Sequence, residues 1–243
     1  VINRIELRQE AIGELNDHVI TREELREYLN PIYDLERLIT RVTYRTANPR
    51  DLIAFKNSIS MLPPIKSLLD EFDGALLKNI QNDIDAMEEL CSLVDRSIME
   101  EPPISVREGG LIKEGYNEDV DKYRNAKTEG KTWLAELEAK EREKTGIKNL
   151  KIKYNKVFGY YLEVTNSYKD LVPDYFTRKQ TLANAERYIT PELKELEDMI
   201  LGAEDKLVSL EYDLFCEVRN KIAEEVVRIQ RTAKAIANLD VFV

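Results

Sequence analysis

The side chains of this sequence best suited to bind a ligand are cationic and amide groups between positions 155 and 184. The six candidates are Asn155, Lys156, Arg178, Lys179, Gln180 and Asn184. Residues 131–190, the basic stretch, hold 12 Lys and Arg against 8 Asp and Glu, net +4, whereas the remaining chain holds 24 against 38, net −14. Because a local positive potential attracts a polyanion even in a chain of net charge −10, this pattern favours binding to a phosphate backbone, which requires no base reader.

A solvated sheet face without a ligand is the alternative for the basic stretch, since most surface lysines bind nothing specific. The tyrosines at 154, 160, 161 and 188 could stack on the bases of a single strand. Their alternation with polar residues favours packing in the core of a small sheet instead.

No set of residues in the sequence predicts catalysis. The tripeptide Gly-Lys-Thr at 130–132 resembles the end of a phosphate-binding loop, but Asn125 stands where that motif needs its first Gly. His18 is the only histidine, so a His-activated nucleophile or a zinc site would rest on it alone. Cys91 and Cys216 are too few for a disulfide framework, and no apolar run approaches the roughly 20 residues that span a bilayer. We therefore expect no catalytic, metal or cofactor site, and a cytoplasmic location.

Hydrophobic periodicity places the candidate side chains on a small sheet between two long helices. Apolar and polar residues alternate over 150–155 and 160–165 around a turn at Gly159, which predicts a β-hairpin, and a third strand is predicted over 175–182. The preceding helix is predicted over about 117–144, with Gly146 ending it. The following helix is predicted to start at Thr190-Pro191 and to continue unbroken for roughly 45 residues. The two helices most simply lie antiparallel.

Short packing helices are predicted for the first hundred residues. Asn48-Pro49 predicts a helix start with an Asn cap and Pro in the first turn, and Thr21 followed by Glu24 predicts a capping box. Charged residues make up 34% of the chain and Gly plus Pro only 17 residues. That composition favours a mainly α protein.

Several strings are more distinctive than their periodicity. Asn-Lys-Val-Phe-Gly-Tyr-Tyr at 155–161, Arg-Lys-Gln-Thr-Leu at 178–182 and the ten residues 184–193 resemble the clamp region of the MutS family of DNA mismatch repair proteins. Residues 45–52 and 107–117 resemble the lever, or core, region of that family, as does Leu-Asp-Val at 239–241. The likeness extends in order from about residue 5 to residue 243.

The resemblance implies a mainly α fold, with an elongated helical lever of two long antiparallel helices and a small antiparallel β clamp domain inserted at its tip. The lever would comprise residues 1–130 and 191–243, and the clamp residues 131–190. In the family, two clamps close around double-stranded DNA, and the levers connect them to ATPase domains. We expect this chain to be a non-enzymatic piece of a longer protein, without the phosphate loop or the Phe-x-Glu mismatch reader. Phe-Cys-Glu at 215–217 matches that tripeptide by chance, within a predicted helix.

The family's backbone contacts, carried over position by position, fall on four of the six candidates. They are Asn155, Lys156, Lys179 and Asn184, with Arg178 and Gln180 as helpers. Ala183 departs from relatives that carry a basic residue there, so the resemblance implies no phosphate contact at that position. For the full-length protein the resemblance implies ATP and magnesium as cofactors, a homodimer, a MutL-type partner and association with the bacterial nucleoid.

Three other functions stay open at this point. A structural helical arm would bind protein partners along an apolar seam, and salt-dependent DNA affinity confined to the basic stretch would exclude it. The same region of a MutS relative acting in recombination would share the contacts predicted above. A hydrolase would need clustered acids, and the spacing of the carboxylates indicates none.

Overall fold

The computed structural model describes residues 2–32 and 34–243, and it divides the chain into two compact units. The helical unit comprises Val1–Tyr116 and Glu211–Val243, and the sheet unit comprises Asn117–Leu210. The sheet unit is wider than the basic stretch, because it also contains helical residues on both sides of it. A mainly α chain with a small antiparallel sheet is therefore confirmed.

Helices make up most of the helical unit. They are α1 (Ile2–Asp17), α2 (Val19–Leu29), α3 (Leu35–Thr43), α4 (Pro49–Ile59), α5 (Leu62–Leu68), α6 (Ala75–Asp83), α7 (Glu88–Ser97), the last part of α9 (Pro191–Glu224) and α10 (Val226–Phe242). The largest fully buried side chains of this unit include Phe55, Phe72 and Phe215. In the described part of the chain, every helix is too short or too polar to cross a membrane.

Two of the predicted helix starts in this unit have opposite outcomes. The start at Asn48 is confirmed: its Oδ1 accepts from the Asp51 N–H at 2.9 Å, its own N–H donates to Asp51 Oδ2 at 2.8 Å, and Pro49 occupies the first turn. The capping box at Thr21 is wrong, because α2 has already begun at Val19. The Thr21 hydroxyl donates instead to Glu71 Oε2, 2.5 Å away.

The predicted unbroken helix of roughly 45 residues is wrong, because α9 ends at Glu224 and α10 begins at Val226. Glu225 between them has φ −98° and ψ 18°. Arg228, in the first turn of α10, lies 2.8 Å from Asp85 Oδ2 and 3.2 Å from Glu225 Oε2. Neither Gly nor Pro marks this break, and an ion-pair cluster lies beside it.

The sheet unit contains α8 (Glu118–Thr145), β1 (Lys151–Asn155), β2 (Gly159–Thr165), β3 (Thr177–Thr181), β4 (Ala185–Ile189) and the first part of α9. The sheet is antiparallel, in the order β1-β2-β4-β3. The predicted helix 117–144 is confirmed in α8, whose N-cap Asn117 accepts from two amides and whose C-cap Gly146 has φ +72°. The sequence prediction missed β4, whose residues show no clean alternation.

One face of the sheet packs on α8 and α9. The buried side chains of this core are Leu137, Ile147, Leu150, Leu162, Val164, Phe176, Tyr188 and Leu193. Lys127 of α8 lies 2.8 Å from Glu204 of α9, and Lys140 lies 3.1 Å from Glu192. Because the residue number rises along α8 as it falls along α9, the predicted antiparallel pairing of the long helices is confirmed within this unit.

Candidate nucleic-acid interface

Asn155 and Lys156 lie at the turn that joins β1 to β2. Asn155 Oδ1 accepts from the N–H groups of Val157 and Phe158, at 2.9 and 2.8 Å, so its side chain closes the turn. Gly159 completes the turn with φ +73°, a conformation that favours glycine. Lys156 stands exposed within this turn. The sequence identified Asn155 as a donor to a ligand, whereas the structure also gives its oxygen a local role.

Lys179 is the extra residue of a β-bulge. Arg178 pairs with Tyr188 and Gln180 pairs with Arg187, so that Lys179 has no partner in the ladder. A cleft of about 280 Å³ lies between this bulge and the β1–β2 turn. It is lined by Val157, Phe158, Tyr160, Lys179, Ile189, Lys194 and Glu197. Bulges re-aim side chains, and this one presents Lys179 to a cleft that Val157 and Phe158 of the β1–β2 turn also line.

Arg178 and Gln180 are already engaged by neighbouring side chains. Arg178 Nη1 lies 3.6 Å from Glu186 Oε1, which offsets part of its charge. Gln180 Oε1 accepts from Arg187 Nη1 at 2.7 Å. These contacts agree with the helper role that the family resemblance implied for both residues.

Asn184 lies at the opposite end of the sheet. It belongs to the β3–β4 turn, where its carbonyl accepts from the Asn166 N–H at 3.0 Å, next to the Thr165–Ala185 pair. The turn of Lys156 adjoins the other end of β2, six residues away, or about 20 Å at about 3.3 Å per residue. Asn184 and Lys156 therefore lie at opposite ends of the sheet. Lys179 lies on β3 between these ends, level with Leu162 and Glu163 of β2, and lines a cleft with Val157 and Phe158 of the β1–β2 turn.

Ion pairs cancel much of the charge on the open face of the sheet. Lys153 Nζ lies 2.7 Å from Glu163, and this contact raises the pKa of Lys153. Arg187 lies 3.7 Å from the same carboxylate and 4.5 Å from the centre of the Tyr161 ring. By contrast, within the described residues Lys156 and Lys179 have no carboxylate oxygen within 4.0 Å.

The tyrosines of the basic stretch divide by burial. Tyr161 and Tyr188 are buried, as the core interpretation predicts. Tyr154 is 49% exposed, and its ring centre lies 5.0 Å from that of Tyr160. Packing within the protein thus occupies most of the aromatic surface that could stack on bases.

Three charged residues of the helices beside the sheet escaped the sequence prediction. Lys194 of α9 lines the cleft of Lys179. Glu138 of α8 accepts from the Ile152 N–H, and Glu197 of α9 accepts from the Tyr160 N–H. Carboxylates recur throughout these helices, so no local signal distinguishes the two that hold strands. Among the described residues, no cluster of three or more His, Cys, Asp or Glu could hold a metal ion.

The fold and this interface define a class: a mainly helical protein that carries a small antiparallel sheet on two antiparallel helices, with exposed lysines in the β1–β2 turn and in the β3 bulge. Residues 115–206 match the model of MutS family domain IV. The chain is 68% identical over 241 residues to the DNA mismatch repair protein MutS of Lachnoclostridium phytofermentans, covering 99% of this chain and 26% of that protein. It is 55% identical over 237 residues to MutS of Ruminiclostridium cellulolyticum, covering 98% of this chain and 27% of that protein.

The chain belongs to the MutS family of DNA mismatch repair proteins and includes its domain IV, the clamp region. This confirms the resemblance found in the sequence. The chain spans about a quarter of the length of the curated relatives that it matches.

Proposed function

We propose that the sheet unit grips duplex DNA through the phosphate backbone, without reading base sequence. The observation that carries the proposal is the pair Lys156 and Lys179, which are exposed and lack a carboxylate partner in the described part of the chain. Lys179 also lines a cleft with Val157 and Phe158, which follow Lys156 in the β1–β2 turn. Backbone binding needs cations of this kind and no base-specific geometry. The family membership of the chain supports DNA as the polyanion.

The distribution of charge supports DNA binding at the sheet and not along the helices that carry it. Residues 147–190 hold 8 Lys and Arg against 4 Asp and Glu, whereas the rest of the sheet unit, 117–146 and 191–210, holds 9 against 14. The helices that carry the sheet therefore repel a polyanion that the sheet attracts.

Contacts at both ends of the sheet would orient the duplex. The ends lie about 20 Å apart, and B-DNA carries one phosphate charge per about 1.7 Å of its axis. Asn184 would donate to a phosphate at one end while Asn155 and Lys156 bind at the other. Lys179 would bind between the two ends, and Arg178 and Gln180 beside it would add weaker contacts.

The lever and the full-length protein form the second part of the proposal. Helix α9 contributes residues to both units, and it would transmit the state of the bound DNA along the lever. We assign no catalysis to this chain, and we place ATP and magnesium in the full-length protein, together with homodimer formation and a MutL-type partner. The names of the relatives support repair over recombination.

Salt dependence of DNA binding tests the grip. Three cations, Lys156, Arg178 and Lys179, predict a slope of about −2.7 for log K against log salt, hence an affinity loss of about 40-fold between 50 and 200 mM salt. In Lys156→Ala/Lys179→Ala the slope should fall to about −0.9. Matched and mismatched duplexes of about 20 base pairs should bind equally.

The matched control is Lys221→Ala/Lys234→Ala, which removes two exposed lysines from α9 and α10 in the helical unit. It should leave affinity and slope close to those of the wild type. Equal losses in both double variants would reject a local grip. Absence of binding at 20 mM salt would reject DNA binding by this chain and favour the helical arm that holds protein partners.

A further inference from the structure

Glu197 is a buried carboxylate beside the candidate interface. It lies in α9 and is 3% exposed. Its Oε1 accepts from the Tyr160 N–H at 2.7 Å, and its Oε2 pairs with Lys194. A charge this buried is retained at low cost only when it is paired and hydrogen-bonded, and here its protein donors are the Tyr160 amide of β2 and the Lys194 ammonium.

The turn of Lys156 closes directly on this carboxylate. A Cβ built at Gly159 would lie 1.6 Å from Glu197 Oε1, and Gly159 has φ +73°. Gly159 pairs with Asn155 across the hairpin, and Asn155 in turn holds the amides of the turn. A short chain of contacts thus joins Glu197 to the backbone that presents Lys156.

A second carboxylate holds the same hairpin further along β1. Glu138 of α8 accepts from the Ile152 N–H at 2.9 Å. The hairpin is therefore attached to α8 through β1 and to α9 at its turn. Of the two attachments, the one through Glu197 lies next to the lysines of the interface.

We propose that Glu197 is a positioning residue that fixes the β1–β2 turn on α9, and so places Lys156 and Asn155 in line with Lys179 for a phosphate backbone. This inference rests on the DNA grip proposed above. It gives an acidic residue a favourable effect on the binding of a polyanion, because its hydrogen bond to the turn matters more than its charge.

The sign of the mutational effect separates positioning from simple charge. If Glu197 acted only through its charge, removing it would reduce repulsion and raise affinity for DNA. Positioning predicts the reverse for Glu197→Leu: a loss of affinity about as large as that of Lys156→Ala, with the salt slope reduced by about 0.9. Glu197→Gln keeps an oxygen that can accept from Tyr160, so it should bind DNA at least as well as the wild type.

The experiment is a double-mutant cycle on the 243-residue chain, with a labelled duplex titrated across about 20–200 mM salt. In a Lys156→Ala background, Glu197→Leu should cause less than a further twofold loss, because Lys156, the cation that it positions, is already gone. A full additive loss, or wild-type affinity of Glu197→Leu, would overturn the inference.

Gly159→Ala is a second test of the positioning role, and it leaves every charge in place. Its added methyl group must push the turn away from Glu197, so it should reproduce the reduced affinity and slope of Glu197→Leu. If either variant fails to fold, amide exchange in the unmodified chain decides. Protection of the Tyr160 amide is expected, and free exchange would refute the attachment.

The outcomes keep the two proposals apart. Wild-type binding by Lys156→Ala/Lys179→Ala would remove the DNA grip itself. Loss of binding in that variant, combined with wild-type binding by Glu197→Leu, would remove only the positioning role.

Discussion

The pairing of α8 with α9 leaves no room for a side chain at position 130. A Cβ built at Gly130 would lie 2.5 Å from Ile200 Cγ1 and 3.0 Å from its Cδ1, closer than side chains normally approach. Ile200 is 6% exposed, so it cannot turn into solvent. We therefore expect Gly130→Ala to destabilise the sheet unit by overpacking.

Two opposing effects set the change in unfolding free energy that Gly130→Ala causes. Replacing Gly by Ala inside a helix contributes about 1 kcal/mol through helix propensity, whereas an extra methyl group in a packed core costs about 1–3 kcal/mol. The net loss for Gly130→Ala is about 1 kcal/mol. In an Ile200→Ala background the obstructing atoms are gone, so the same substitution should stabilise by about 1 kcal/mol, a coupling of about 2 kcal/mol.

Urea unfolding followed by the fluorescence of Trp133 measures these differences, since this is the one Trp of the chain and it lies in α8. Gly202→Ala is the matched control, because nothing lies within 4 Å of a Cβ built there in α9. It should raise the free energy of unfolding by about 1 kcal/mol. The reasoning is refuted if Gly130→Ala stabilises the wild-type chain as Gly202→Ala does, or if positions 130 and 200 show no coupling.

Two further predictions concern pH. Burial, with the hydrogen bond that its hydroxyl donates to Glu186, raises the pKa of Tyr188 to about 12, so stability is present below its ordinary value of 10 and is lost above it. Relative to Tyr188→Phe, the unfolding free energy of the wild type should fall by about 2 kcal/mol from pH 9 to pH 12; a constant difference in urea unfolding would contradict this. Hydrogen bonds from Arg228 lower the pKa values of Asp85 and Glu89, so their contribution is present above the ordinary 3.8 and 4.5 and is lost as pH falls through the lowered values. Arg228→Met should cost about 1 kcal/mol at pH 7, since both carboxylates are more than a third exposed, and this cost should vanish in acid. Far-UV circular dichroism during urea unfolding measures it, and a cost independent of pH would rule out these ion pairs as its source.

Some elements of this fold are fixed by neighbours within a few residues, and the sequence predicted them. Asn117 and Gly146 bound α8 because a cap and a left-handed C-terminal residue satisfy helix ends locally. Alternation around Gly159 predicted the hairpin of β1 and β2, and the local excess of Lys and Arg indicated the interface. The position of Lys156 in an exposed turn followed from the same local pattern.

Other features depend on residues far apart in the chain, and only the tertiary structure decided them. Thr21 bonds to Glu71 instead of capping α2, and α9 ends at Glu224 although no Gly or Pro stands there. Strand β4 forms because it pairs with β2 on one side and with β3 on the other. These pairings cannot be predicted from the periodicity of one strand.

The candidate site shows the same division. Its residue types and its excess of positive charge were determined by the sequence alone. The bulge at Lys179, the position of Asn184 at the opposite end of the sheet from Lys156 and the attachment by Glu197 came from packing. Helix periodicity and caps depend on atoms a few residues apart, whereas the partner of a buried carboxylate depends on which backbone amide the folded chain brings to it.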